Sequence, residues 1–181
     1  MTTQIDGQSA DLLRGLRGQV IRRITGARYP GVTGYSELNL FTGSETKIGL
    51  TLRVEDVDDE LEVCVPVARL LPTTQEDADV DRIELQDFRI ARVYKLQRRE
   101  TIEWSTEDTA GYVGSHPREH RLAELDDGDS PGYQTVDAGV AFESEGGIAL
   151  ELCADSFPQV FQLHLSVAAS SVPNPKKVVI T

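Results

Sequence analysis

Short stretches of alternating apolar and polar residues recur along this chain and limit what it can fold into. Residues 48–52 and 61–67 carry an apolar side chain at every second position, and residues 148–152 and 161–167 repeat the scheme. A period of two is typical of β-strands that bury one face and expose the other. The pattern therefore predicts a mainly β protein whose strands are half buried.

The two groups of strands are related by a constant offset. The apolar positions of the first group recur one hundred residues later; they are 48, 50, 52, 61, 63, 65 and 67. Upstream, residues 21–24 match residues 90–93 as opening strands. We predict two similar antiparallel four-strand meanders that form a sandwich or a barrel-like sheet, with one or two short helices. Because all-β chains share this period, a chance alignment is the alternative.

The predicted organisation has three parts. Residues 1–16 form an N-terminal segment with a short helix over residues 10–16, capped by Ser9. Residues 17–168 form a single β domain made of two repeats, residues 17–71 and 88–168, since one four-strand unit buries too little surface to be stable by itself. Residues 169–181 form a C-terminal tail, in which residues 178–180 either add an edge strand or stay loose. A second helix is predicted over residues 117–125.

Acidic residues outnumber basic residues and are unevenly distributed. The 181 residues include 30 Asp and Glu against 18 Lys and Arg, which gives a formal net charge of -12. Twenty-four of the carboxylates lie in residues 55–87 and 106–155. Such a surface repels phosphates, so we expect no direct binding to nucleic acid or to membranes. No basic and apolar leader opens the chain and only two cysteines occur, which predicts a cytoplasmic protein with reduced thiols.

The clustered carboxylates predict binding to a basic protein. A concentrated negative field speeds association with a basic partner and discriminates against neutral ones. The predicted partner-binding residues are Glu55, Asp56, Asp58, Asp59, Glu60, Asp77, Asp79, Asp126, Asp127 and Asp129. The alternative is that these residues solvate loops and keep the protein soluble. Arg22 and Arg92, one in each meander, are expected opposite carboxylates on neighbouring strands.

Motifs for catalysis are weak in this sequence. Residues 116–120 fit the pattern H-x-x-E-H, in which His116 and His120 would bind zinc and Glu119 would act as the base. The motif opens a two-turn helix candidate in a chain dominated by strands, so a solvated helix is favoured. Cys64 and Cys153 lack the spacing of metal ligands and are predicted to be buried, unreactive thiols. We expect no catalytic residues, no metal site and no cofactor.

Three hypotheses follow, from three classes of function. The first is a non-catalytic interaction protein whose acidic loops bind a basic partner, in its concrete form an inhibitor or immunity-type protein directed against a nuclease or another nucleic-acid-binding protein. The second is a structural module that forms homo-oligomers through strand edges, such as the strand containing Pro66 or the tail 178–180. The third is a metal-dependent hydrolase that uses His116, Glu119 and His120. The charge distribution favours the first.

Overall fold

One helix and nine strands make up the part of the chain that the computed structural model describes, which is residues 3–28, 31–56, 62–72, 80–101, 133–156, 159–167 and 176–181. The elements are α1 (Gly7–Gly15), β1 (Val20–Arg28), β2 (Tyr35–Thr42), β3 (Lys47–Asp56), β4 (Glu62–Leu71), β5 (Asp81–Thr101), β6 (Tyr133–Ser144), β7 (Ile148–Asp155), β8 (Val160–Val167) and β9 (Lys176–Val179). The chain divides into two units. Unit 1 comprises residues 1–98 and 136–181, and unit 2 comprises residues 99–135.

The strands of unit 1 form a ring-like sheet. Hydrogen-bonded neighbours follow the order β1-β5-β6-β7-β8-β2-β3-β4, and an additional pairing of β1 with β2 closes the ring. The first meander is β1–β4 and the second is β5–β8, and every register that the structure describes is antiparallel. The predicted mainly β fold is confirmed, and of the two predicted packings the barrel-like sheet is the one observed. The predicted division of the chain into three parts stays a prediction.

Alternation of side chains along the strands builds the core of unit 1. Among the described residues, seventeen buried ones form the main cluster, with Leu40, Ile48 and Leu50 from the first meander and Phe142 and Leu152 from the second. A smaller cluster joins Val63 and Val65 of β4 to Val136 and Ala138 of β6. The first meander therefore packs on the second at two places, through the ring interior and through the start of β4.

The helix begins earlier than the sequence predicted. Asp6, rather than Ser9, is the N-cap: its Oδ1 accepts a hydrogen bond of 2.8 Å from the Ser9 backbone N–H. This hydrogen bond is the largest cause of the lowered pKa of Asp6. Ser9 lies inside the helix, and its hydroxyl accepts a hydrogen bond of 3.0 Å from the backbone N–H of Ala68. The buried contact to β4 explains why the serine is not at the cap, since Asp6 satisfies the first helical N–H groups.

A buried carboxylate ties the N-terminal segment to the sheet. The side chain of Asp137 in β6 is 1 % exposed. Its Oδ2 accepts hydrogen bonds from the Ile5 backbone N–H at 3.0 Å and from Lys95 Nζ at 3.2 Å, and its Oδ1 accepts one from Gln97 Nε2 at 2.9 Å. The Asp137 backbone N–H donates to the carbonyl of Thr3 at 2.9 Å. The carboxylate thus connects β5, β6 and the segment that precedes α1.

The second meander departs from the predicted equivalence at β8. Ile48 is 2 % exposed, whereas its counterpart Ile148 is 42 % exposed, and Leu165 and Val167 are also exposed. In the described residues, β8 meets β2 through one residue pair, Tyr35 with Phe161. In the first meander, by contrast, Leu13 of α1 packs in the same core cluster as Ile48. The prediction that these alternating positions point into a core is wrong for residues 148, 165 and 167.

The C-terminal tail forms an edge strand, which was one of the two predicted outcomes. β9 pairs with β5, with Val179 opposite Tyr94. An ion pair of 2.6 Å between Lys177 Nζ and Glu151 Oε1 connects β9 to β7. Because Glu151 is largely buried, this contact places the tail against the second meander.

Candidate protein-binding surface

The part of the chain that the structure describes has a formal net charge of zero. Those residues include 16 Asp and Glu and 16 Lys and Arg. The other 14 acidic residues, with 2 arginines, lie in residues 57–61, 73–79 and 102–132, which are outside the described residues. The entire formal charge of -12 therefore belongs to three segments that connect strands of a neutral framework.

Two of the ten predicted partner-binding residues lie within the described residues. Glu55 Oε1 forms an ion pair with Arg53 Nε, so this carboxylate is engaged within the molecule. Asp56 ends β3, where its backbone lies opposite Glu62 of β4. The other predicted residues lie outside the described residues; they are Asp58, Asp59, Glu60, Asp77, Asp79, Asp126, Asp127 and Asp129.

The start of β4 lies close to the residue at which the chain re-enters unit 1. Residues 57–61 connect the end of β3 to the start of β4, where Val63 packs in one cluster with Val136. The chain leaves unit 1 after Arg98 and returns to it at Val136, so residues 102–132 belong to the connection that ends there. Gln159, just before β8, donates a hydrogen bond of 3.5 Å to Glu62 Oε2. Val136, at which the chain re-enters unit 1, thus packs beside the start of β4.

Arg22 and Arg92 were predicted to pair with carboxylates on neighbouring strands, and the prediction is confirmed for Arg92. Arg92 Nη2 lies 2.5 Å from Glu143 Oε1 in β6, and the Tyr94 hydroxyl donates to the other carboxylate oxygen at 2.9 Å. Arg22 behaves differently. Within the described part of the chain it has no carboxylate partner, because it occupies a bulge in β1 rather than a ladder position.

The bulge at Arg22 opens a cleft that the sequence analysis missed. Ile21 pairs with Phe88 and Arg23 with Glu84, so three residues of β5, 85–87, oppose Arg22. Asp87 has a φ of 53°, a left-handed conformation that is uncommon for a residue with a side chain. The resulting cavity has a volume of about 660 Å³ and is lined by Gln19, Arg22, Ser44, Gln86, Asp87 and Arg89, among others. The sequence signal was the spacing Ile21-Arg22-Arg23-Ile24, in which two inward positions are three residues apart instead of two.

Comparison with known proteins adds no relative. No protein-family model, no curated protein and no solved structure matches this chain.

The described residues offer few groups for metal chemistry. Among them, no cluster of three or more His, Cys, Asp or Glu side chains is placed to hold a metal ion. The predicted zinc motif, with His116, Glu119 and His120, and the predicted helix over residues 117–125 lie outside the described residues. Of the helices in the described part, none has the length and hydropathy to cross a membrane.

Burial is confirmed for Cys64, whereas Cys153 is only partly buried. Cys64 is 2 % exposed, and burial is the main cause that raises its pKa to about 11. Burial is also the main cause that raises the pKa of Cys153 to about 11, with Glu151 and Asp155 adding to the effect. At about pH 8, the thiolate fraction is then on the order of a hundred times smaller than for an unperturbed cysteine.

We therefore expect iodoacetamide to modify the native protein far more slowly than the same protein unfolded in urea at the same pH. The rates are followed by mass spectrometry. Equal rates in the native and unfolded states would contradict the burial of Cys64 and the partial burial of Cys153.

Strand edges were the basis of the second hypothesis. β4, which contains Pro66, ends the order of the sheet, and β9 is attached at the side of β5. Another exposed apolar surface lies on β7 and β8, where Ile148 is opposite Val167 and Leu165 is opposite the buried Leu150. This surface was missed because alternation alone placed these residues in the core.

Proposed function

We propose that this protein is a non-catalytic interaction protein whose acidic segments bind a basic partner. The observation that carries the proposal is the separation of charge: a neutral framework of 16 acidic and 16 basic residues, against segments with 14 acidic and 2 basic residues. Within the framework, salt bridges such as those of Arg92 with Glu143 and of Lys177 with Glu151 neutralise carboxylates internally. The connecting segments are rich in carboxylates and almost devoid of such cations.

The concrete form of the proposal is an inhibitor or immunity-type protein. Closely spaced carboxylates present a negative field like that of nucleic-acid phosphates, and a basic groove in a nuclease or another nucleic-acid-binding protein would accept either. The two framework thiols, both free, agree with the reducing cytoplasmic setting that we propose for it.

A charge-neutralising variant tests where the binding resides. We expect the triple variant Asp58→Asn, Asp59→Asn, Glu60→Gln to bind poly-L-lysine about tenfold more weakly than the wild type, measured by calorimetry at low salt. The matched control is Asp11→Asn, Glu45→Gln, Glu145→Gln, which removes three exposed framework carboxylates and gives the same net charge. Equal weakening by the two variants would mean that the position of the charge is irrelevant, and would contradict the proposal.

Self-association is the second candidate function, supported by the exposed apolar side chains of Ile148, Leu165 and Val167. Contiguous apolar patches on a soluble protein mark interaction surfaces. If this patch pairs two copies, sedimentation equilibrium gives a dimer that Leu165→Lys dissociates, whereas His164→Lys, on the exposed polar face of the same strand, leaves it intact. A monomeric wild type at high protein concentration would remove this candidate.

A further inference from the structure

The cleft at the bulge of β1 has the composition of an anion site. Arg22 is exposed, and within the described residues no hydrogen bond or ion pair engages its guanidinium. It lies over Gly43: a Cβ at that glycine would be 3.3 Å from Arg22 Nε and 3.7 Å from Cζ. The missing side chain at residue 43 thus leaves room for the guanidinium to lie against the turn between β2 and β3.

A second guanidinium lines the same cavity. Arg89 Nη1 donates a hydrogen bond of 2.8 Å to the carbonyl of Gly18, which fixes the direction of the side chain. Its Nε is 3.8 Å from Glu145 Oε2, a distance at which the carboxylate attracts the guanidinium without a close hydrogen bond. Since an arginine carries five N–H donors, Arg89 retains donors for a ligand.

Polar groups complete the lining. The Ser44 hydroxyl donates to Gln19 Oε1 at 2.9 Å, and Gln19 Nε2 donates to the carbonyl of Gly15 at 3.0 Å, so both side chains are ordered. Asp87 is the acidic group in the lining, which gives two guanidinium groups against one carboxylate. A volume of about 660 Å³ is in the range of small-molecule sites and exceeds what a single ion needs.

We propose that this cleft binds a phosphoryl group, carried either by inorganic phosphate or by a small phosphomonoester. Guanidinium groups match the oxygens of a phosphoryl group with paired N–H donors, and such charge-assisted hydrogen bonds are stronger than neutral ones. Bulges re-aim side chains next to functional sites, and here the bulge takes Arg22 out of the β-ladder and into the cavity. The residues that line the site belong to the described, neutral framework.

Titration with inorganic phosphate and with AMP, at constant ionic strength and followed by amide NMR shifts, tests the proposal. We expect saturable binding that perturbs residues 18–22, 43–45 and 85–89. Tighter binding of AMP identifies the organic phosphomonoester as the class of ligand, and equal affinities identify the free ion. Absence of saturation with both probes overturns the proposal.

Three variants sharpen the test. Arg22→Gln should weaken binding about tenfold or more, while the exposed Arg17→Gln, outside the cleft, should leave it unchanged. Asp87→Asn should strengthen binding, because it removes the one carboxylate of the lining and asparagine tolerates the left-handed backbone there. Thermal unfolding without ligand checks that each variant is folded. Equal affinities of Arg22→Gln and Arg17→Gln would overturn the proposal.

Discussion

Asp137→Ala is expected to lower the free energy of unfolding by about 3–5 kcal/mol, the range for removing one partner of a buried ion pair. The substitution leaves Lys95 Nζ without its carboxylate and removes the acceptors of the Ile5 N–H and of Gln97 Nε2. It also releases the N-terminal segment that leads into α1. Urea unfolding followed by circular dichroism measures the loss.

A double variant separates the charge from the packing. Asp137→Leu with Lys95→Met removes both members of the ion pair, and we expect it to be less destabilising than Asp137→Ala, since no unpaired charge remains. The exposed Asp11→Ala serves as the surface control, with a change within about 0.5 kcal/mol. A loss below about 1 kcal/mol for Asp137→Ala would contradict the anchoring role of this carboxylate.

Gly139→Ala is the second large effect that we expect, with a loss of about 3 kcal/mol in the free energy of unfolding. A Cβ at residue 139 would be 2.5 Å from the carbonyl oxygen of Leu152 and 3.0 Å from Leu96 Cδ1. The carbonyl belongs to the backbone of β7, which pairs with β6 at this point, so relief requires the two strands to move apart. Urea unfolding again measures the change.

Gly146→Ala is the matched control for this prediction. Residue 146 lies in the turn between β6 and β7, and the nearest atom to a Cβ there is Ser144 Oγ at 3.8 Å, an ordinary contact. We expect this variant to differ from the wild type by no more than about 0.5 kcal/mol. Similar losses of stability in the two variants would show that the close approach of β6 and β7 does not restrict position 139 to glycine.

The alternation of apolar and polar residues predicted most of the fold, because it shows directly which face of a strand is buried. The pairs Leu38 with Leu50 and Val140 with Leu152 lie in hairpins whose turns contain Gly43 and Gly146, and glycines between apolar runs are a turn signal. This local information predicted the strands and their order within each meander. Closure of the ring depends on the long-range pairings of β1 with β5 and of β2 with β8, which no local period reports.

Tertiary contacts explain why some of the sequence-based predictions were wrong. Ser9 has the chemistry of an N-cap, but its hydroxyl is used by Ala68, and Asp6 caps the helix. Leu165 and Ile148 have the period of core residues, but antiparallel β2 begins at Tyr35, opposite Phe161, and the two strands share no later pair in the described residues. Alternation cannot report whether a further layer covers a face.

The two candidate sites, the acidic segments and the cleft at Arg22, also differ in whether the sequence predicted them. The acidic segments were visible in the sequence because net charge is a sum over residues and needs no geometry. The cleft at Arg22 was not, since it depends on the offset between two strands that are distant in the chain. The two consecutive arginines between Ile21 and Ile24 were nevertheless a local sign of a bulge.

Amide NMR shifts during titration with hexalysine test the central claim most directly, namely that recognition belongs to the acidic segments and not to the framework. We predict that shifts are confined to residues 57–61, 73–79 and 102–132 and to the adjoining strand ends near Glu62 and Val136, and that they diminish as salt is added. Shifts spread evenly over β1–β9, or shifts that do not respond to salt, would contradict the account.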